Sequence, residues 1–362
     1  MKTFVPKKKT APTVGIDIDT GSVAAAERAI AGDTVRGGVQ PLPEGAFRDG
    51  EIGDPDALAA ALSELFDREA LSKRVRLAVA GQKVAFRTLR LPLIEDPQQL
   101  KSAVRFQAQE QIPMPLESAV LDHQVIGATV TDDGNRQIDV AVVAAREETI
   151  NALLDVARRA GLDAVGIDLA AFGMIRALGG GAGSGAAAFA DSPADEAYVP
   201  ATLYCNLGDL TNLAISRNQA CLFSRVAQFG VRQIAGDLAA TAGLPIEHAQ
   251  PWLLHVGLTT PLEQIEGDET VAATARAALE KGAGSLADEL RLSLDYYGAQ
   301  EGATPVGDVV FCGWGSAIPG LAARLGIELG RDVSVPLPPP LTGGDAARAA
   351  RLVLPYGISL EQ

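Results

Sequence analysis

The chain has 362 residues, 47% of them hydrophobic and 21% charged, with a formal net charge of -14. That length accommodates two or three domains with cores of their own, and the composition is that of a globular protein. The acidic balance excludes a nucleic-acid-binding surface, which requires a concentrated basic patch.

The one dense basic run is Lys7, Lys8 and Lys9. It reads first as a solvated terminus and second as an attraction to an anionic membrane surface. No stretch approaches the ~20 apolar residues that cross a bilayer, and the N-terminus lacks the apolar core of a signal peptide, so a cytoplasmic protein is expected. Cys205, Cys221 and Cys312 sit in apolar strand-like runs and read as small buried hydrophobes. His123, His248 and His255 show no metal-ligand spacing.

In chain order, "VGIDIDTGSVA" at 14–24 is a strand with a carboxylate, Asp17, running into a turn of Asp19, Thr20, Gly21 and Ser22 and then a second strand. Such a turn places backbone N–H groups where a phosphate can bind and a carboxylate where a metal can. Asp19, however, adds a negative charge where phosphate oxygens would sit. A helix follows, opened by Asp54 and Pro55, with Leu58, Ala61, Leu62, Leu65 and Phe66 on one face. Strands are predicted at 75–80 and 84–91.

Asp96 and Pro97 open the next helix, and Pro113 and Pro115 stop it. Strands at 120–131 and 137–144 flank the turn "DDGN". The following helix carries Ile150, Leu153, Leu154 and Ala157 on its apolar side and ends at Gly161. The glycine-rich run at 179–196 lacks the Lys-Ser/Thr pair of a phosphate loop and reads as a linker. Beyond it, "ATLYCNLGDLTNLAISRNQACLFSRVAQFG" repeats the opening as strand, glycine turn and strand, which suggests duplication with a ligand held between the two turns.

"FRTLRLP", "AVRFQAQEQIPMPLESAVLDHQVIG", "LADELRLSLDYYGAQEG", "VVFCGWGSAIPGLAARLGIELG" and "LPYGISL" occur in an order that resembles the PilM family of type IV pilus assembly proteins. These are actin-like relatives of the cell-division protein FtsA. The resemblance implies an α/β, actin-like fold of two lobes with an inserted subdomain, 1C, and a cleft that takes ATP and Mg. It divides the chain into a tail (1–12), 1A (13–86), 1C (87–170), a return to 1A with the linker (171–198), 2A (199–243), 2B (244–304), 2A again (305–345) and a C-terminal helix returning to 1A (346–362).

The same resemblance assigns Asp17, Thr20, Gly21 and Ser22 to the first phosphate turn, with Asp17 orienting the metal. Asn206, Gly208 and Thr211 form the second turn, Gly313, Gly315 and Ser316 approach the adenosine, and Glu289 joins the cofactor set. Relative to the family pattern, this chain has Asp19 for glycine, Ala24 for a phosphate-side lysine and Asn206 for aspartate. Trp314 interrupts the glycine run, and Leu292 stands before Ser293 where a basic residue is usual. A degenerate or weak ATP cleft is expected from these changes, because compensation for phosphate charge is removed.

The function implied is a cytoplasmic adaptor that binds the tail of a PilN-like inner-membrane protein and meets other platform or motor proteins, reaching the membrane through its partner. Val104, Phe106 and Ile112 are the candidate partner-facing residues. Two other readings stay open on sequence: an ATP-dependent enzyme of the actin and sugar-kinase superfamily, and an FtsA-like filament former. The second is disfavoured by an end at "LPYGISLEQ" with no amphipathic membrane helix.

Overall fold

The computed structural model describes residues 12–28, 34–130, 133–179, 199–300 and 302–360. Its first sheet grows from β1 (Val14–Ile18), which pairs antiparallel with β2 (Ser22–Arg28), and β2 in turn pairs antiparallel with β3 (Val35–Pro41). A short hairpin of β4 (Phe47–Arg48) and β5 (Glu51–Ile52) precedes the helix α1 (Pro55–Arg68). β6 (Arg74–Val79) then lies parallel to β1 on its other side.

The linking segment and the N-terminal lysines predicted from sequence lie outside the described residues, apart from Gly179 at the start of the glycine-rich run. The helix starts were legible. The Asp54 carboxylate accepts the N–H groups of Asp56 and Ala57 at 3.0 Å, and the five apolar residues named on the α1 face are all buried.

β7 (Val84–Pro92), β8 (Ala119–Val130) and β9 (Arg136–Arg146) form a separate sheet in the order β7-β9-β8, covered by α2 (Pro97–Gln111). The insert has its own core, including Leu89, Val104, Ala108 and Val140. It is shorter than the 87–170 block expected from sequence. α3 (Glu147–Arg159) buries Leu153, Val156 and Ala157 in the core of the first lobe, and β10 (Asp163–Leu169) pairs parallel with β6. Leu154, expected on the apolar side of α3, is exposed.

The second sheet repeats the first. β11 (Ala201–Leu207), β12 (Thr211–Arg217) and β13 (Ala220–Ala227) pair antiparallel in sequence, and β14 (Val306–Cys312) and β15 (Val333–Ser334) add in parallel beyond β11. The orders β10-β6-β1-β2-β3 and β13-β12-β11-β14-β15 are thus one topology written twice. The β12–β13 turn uses Asn218 and Gln219, both at positive φ, as a two-residue hairpin requires. α5 (Val231–Ala242), α6 (Ile246–Val256), α7 (Glu269–Gly298) and α8 (Leu321–Leu329) share one core with this sheet.

Two helices lie where the lobes meet. α4 (Ala170–Leu178) and α9 (Ala346–Ser359) join a core that contains Ala24 and Ala26 of β2 together with Tyr204, Ala214 and Cys312 of the second sheet. The alanines that weaken β2 as a strand former thus let α9 come close. Glycine does the same elsewhere: a Cβ on Gly15 would strike the carbonyl oxygen of Pro355, and one on Gly357 would strike that of Gly173. Gly357→Ala is expected to cost about 1–3 kcal/mol in urea unfolding, since neither backbone can retreat without moving a whole helix.

Candidate functional site

The turn after β1 and the turn after β11 face each other across the boundary between lobes, and each holds the other. Asp19 accepts the N–H of Thr20 at 2.9 Å and, across the cleft, the N–H of Asp209 at 2.8 Å. Asp209 returns the contact by accepting the N–H of Gly21 at 2.7 Å. Glycine at 208 makes room for this crossing, since a Cβ there would lie 2.5 Å from the Asp19 Oδ2 atom and displace it. The other Asp209 oxygen accepts from the Gln250 amide at 3.3 Å, and Arg232 Nη1 stands 4.0 Å from Asp209.

Below the first turn, the Asp17 carboxylate forms a buried ion pair with Arg351 of α9, with both side chains less than a tenth exposed. The remaining guanidinium nitrogens bond the same turn, Nε to Ser22 Oγ at 3.3 Å and Nη2 to the Ser22 carbonyl at 3.2 Å. Cross-strand partners share a sheet face, and Asp17 pairs with Ala24. Arg351 thus supplies from the far end of the chain the cation that position 24 lacks.

Three carboxylates, Asp17, Asp19 and Asp209, thus gather around the fully engaged Arg351, with Arg232 at the edge of the group beside Asp209. Burial pushes the Asp19 carboxyl up to about 7, reinforced by the Asp209 and Asp17 charges and opposed by Arg351 and the Asp209 N–H. Burial works against the charge on Arg351, but the carboxylates of Asp17, Asp19 and Asp209 outweigh it and hold the guanidinium above its usual range. Burial likewise pushes the Cys221 thiol up to about 12 and raises Cys205 and Cys312. All three cysteines are free and buried, as their apolar surroundings implied.

A cavity of 610 Å³ opens beside the paired turns, large enough for a nucleotide-sized molecule. Thr20, Gly21 and Ser22 line it from the first lobe, and Asp209, Gln250 and Trp314 from the second. Other residues expected at the site lie beneath its surface. Asn206 is buried against Cys312 Sγ at 3.8 Å, and the buried Thr211 hydroxyl has no hydrogen-bond partner among the described residues. Ser316 donates to the Gly313 carbonyl at 2.7 Å, and Gly315 packs so tightly that a Cβ would lie 2.9 Å from the Leu207 carbonyl oxygen.

Glu289 does not line the cavity. It faces Arg225 of β13 at 3.6 Å, on the side where α7 packs over the sheet. Asp209, Arg232, Gln250 and Arg351 were not singled out from sequence. The available signal was Arg351, a charge within the apolar run "LVLPYGISL" and its preceding alanines, a place where arginine stays only when paired.

The candidate partner-facing residues separate sharply. Val104 and Ile112 are buried in the core of the insert, because they lie on the α2 stripe that covers its sheet. Phe106 projects from the opposite side of α2 and is 69% exposed. Val104 and Ile112 therefore hold the insert together and are not available to a partner.

The family model for type IV pilus assembly protein PilM matches residues 15–339. Among solved structures, a PilM-PilN type IV pilus biogenesis complex matches with a TM-score of 0.75 at 22% identity, over 96% of this chain and 98% of that one. The ethanolamine utilization protein EutJ from Carboxydothermus hydrogenoformans matches with a TM-score of 0.54 at 15% identity, over 97% of this chain and 89% of that one. MreB5 of Spiroplasma citri, solved bound to AMPPNP, gives 0.53 at 13% identity, over 96% and 95%. At these identities the likeness is one of fold, and that fold is the two-lobed actin-like one.

Proposed function

The chain belongs to the PilM family of type IV pilus assembly proteins, and from that premise we propose that it works as a non-catalytic cytoplasmic adaptor. It binds the cytoplasmic tail of a PilN-like inner-membrane protein and thereby gathers other platform or motor proteins at the membrane. Among the described residues no helix is long and apolar enough to cross a membrane, so an adaptor of this kind is brought to the bilayer by its partner. The similar PilM-PilN complex supports a partner of this class.

The observation that carries the non-catalytic reading is the reciprocal bonding of the two turns. Magnesium ATP needs turn N–H groups for its phosphates and a free carboxylate for its cation. Here the amides of Gly21 and Asp209 are filled by Asp209 and Asp19, and Asp17 is neutralised by Arg351. These residues do not fit the group. A phosphotransferase would also need a carboxylate free to act as base in the cleft. At the paired turns Asp17, Asp19 and Asp209 are all engaged, so a base would have to come from the other carboxylates that line the cavity, Glu44, Glu69 and Glu247.

Phe106 is proposed as the partner anchor on α2, since an exposed aromatic is the kind of side chain that carries binding energy when a partner covers it. Phe106→Asp is expected to change stability by less than about 0.5 kcal/mol while weakening capture of the partner tail at least about tenfold. Thermal melting and peptide titration on the same preparation check both halves. In cells, the native chain should sediment with inner membranes and leave them when the PilN-like partner is deleted. Retention in the membrane pellet without that partner would sink the reading.

A further inference from the structure

A glycine turn at a strand end offers its amides as an anion receptor, and such receptors are ordinarily filled by a ligand. In this chain both receptors are filled from within, each by the carboxylate of the opposite turn. The two bonds join residues 190 and 188 positions apart, Asp19 with Asp209 and Asp209 with Gly21, so they are contacts between lobes and not local turn chemistry. We propose that Asp19 and Asp209 form a built-in clasp that ties the two turns together across the lobes in place of a bound nucleotide.

The surroundings support the clasp in three ways. Gly208 leaves room for Asp19 to reach the second turn, because a Cβ there would lie 2.5 Å from the Asp19 Oδ2 atom and push that carboxylate away. Arg351 anchors the first turn from below through Asp17 and Ser22, so Asp19 projects from a fixed base. Gln250 of α6 secures the free oxygen of Asp209. Directly beneath the clasp α4 and α9 form a core shared by both sheets, so separation of the lobes at the clasp is a hinge motion about that layer.

The experiment is a distance measurement between spin labels on exposed positions of the two lobes, at Ala60→Cys on α1 and Glu280→Cys on α7. The native cysteines are buried with raised thiol pKa values and do not compete for label. The native chain is expected to show one narrow distance distribution, unchanged by magnesium ATP. Asp19→Ala with Asp209→Ala is expected to lengthen and broaden it, and Asp19→Asn with native Asp209, which keeps one acceptor, to restore most of the native distribution.

Shortening of the native distance by magnesium ATP would overturn the clasp, and so would an alanine pair indistinguishable from the native chain. The first measurement needs no variant beyond the labels and so stands if the alanine pair fails to fold. Partner-tail binding is scored separately on the same labelled protein, so loss of the clasp and loss of the adaptor reading give different results.

Discussion

Replacing Arg351 with methionine is expected to remove about 3–5 kcal/mol of unfolding free energy, the largest effect of any single side chain at the site. The guanidinium is buried, pairs with Asp17 and bonds the Ser22 hydroxyl and carbonyl. Its removal strands the Asp17 carboxylate in a core that also holds Ala24, Cys312 and Val353. The cost is therefore mostly the penalty of an unpaired buried charge, not the worth of the pair. Asp17→Asn combined with Arg351→Met should for that reason be less damaging than Arg351→Met alone. Equilibrium urea unfolding of the two variants and the native chain measures the difference, and a single-variant loss below about 1 kcal/mol would mean that the pair is solvated.

The second large effect is a pH dependence. Asp19 titrates near 3.8 in an unfolded chain and at about 7 in the folded one, so the folded state binds more protons between those limits. Stability contributed by the protonated carboxyl is fully present below the unfolded value and is lost as pH rises toward about 7. A displacement of that size corresponds to at most about 4 kcal/mol. Asp155 is shifted the other way, lowered first by its hydrogen bond to Arg159, so its contribution changes mainly below its ordinary value of 3.8 and leaves the range from pH 4 to pH 7 to Asp19. Asp19→Asn, which resembles the protonated acid, removes the Asp19 share alone. The difference in stability between Asp19→Asn and native should thus grow in favour of asparagine from pH 4 to pH 7 and then level off. A constant difference across that range would show that Asp19 keeps an ordinary carboxyl in the fold.

Much of the architecture was legible in local pattern. The caps at Asp54 and Asp96, the stripe on α1 and the strand-turn-strand at the start of each half all follow from neighbours in the sequence. What escaped was set by long-range packing. "DAVGIDL" alternates like any strand, and nothing in it says that it pairs with β6 and not with the insert. Glu289 shares its helix with residues of the second core, and only the docking of α7 on β13 turns it toward Arg225.

The site divides in the same way. Thr20, Gly21 and Ser22 were readable because turn chemistry is local, and they do line the cavity. Asp19 was readable as an anomaly but not as a contact, since its partner lies 190 residues away. Arg351, 334 residues from Asp17, replaces a cation expected at position 24, and no local pattern links them. Phe106 and Val104, two positions apart on α2, show how one helix supplies both core and surface.

The central claim is that this chain engages its partner without help from a nucleotide. Calorimetric titration of a synthetic peptide matching the cytoplasmic tail of the PilN-like partner, first alone and then with magnesium ATP in large excess, tests it most directly. The account predicts the same dissociation constant in both titrations and no heat of binding from magnesium ATP itself. A tenfold tightening of the peptide by magnesium ATP, a coupling of about 1.4 kcal/mol, would contradict it.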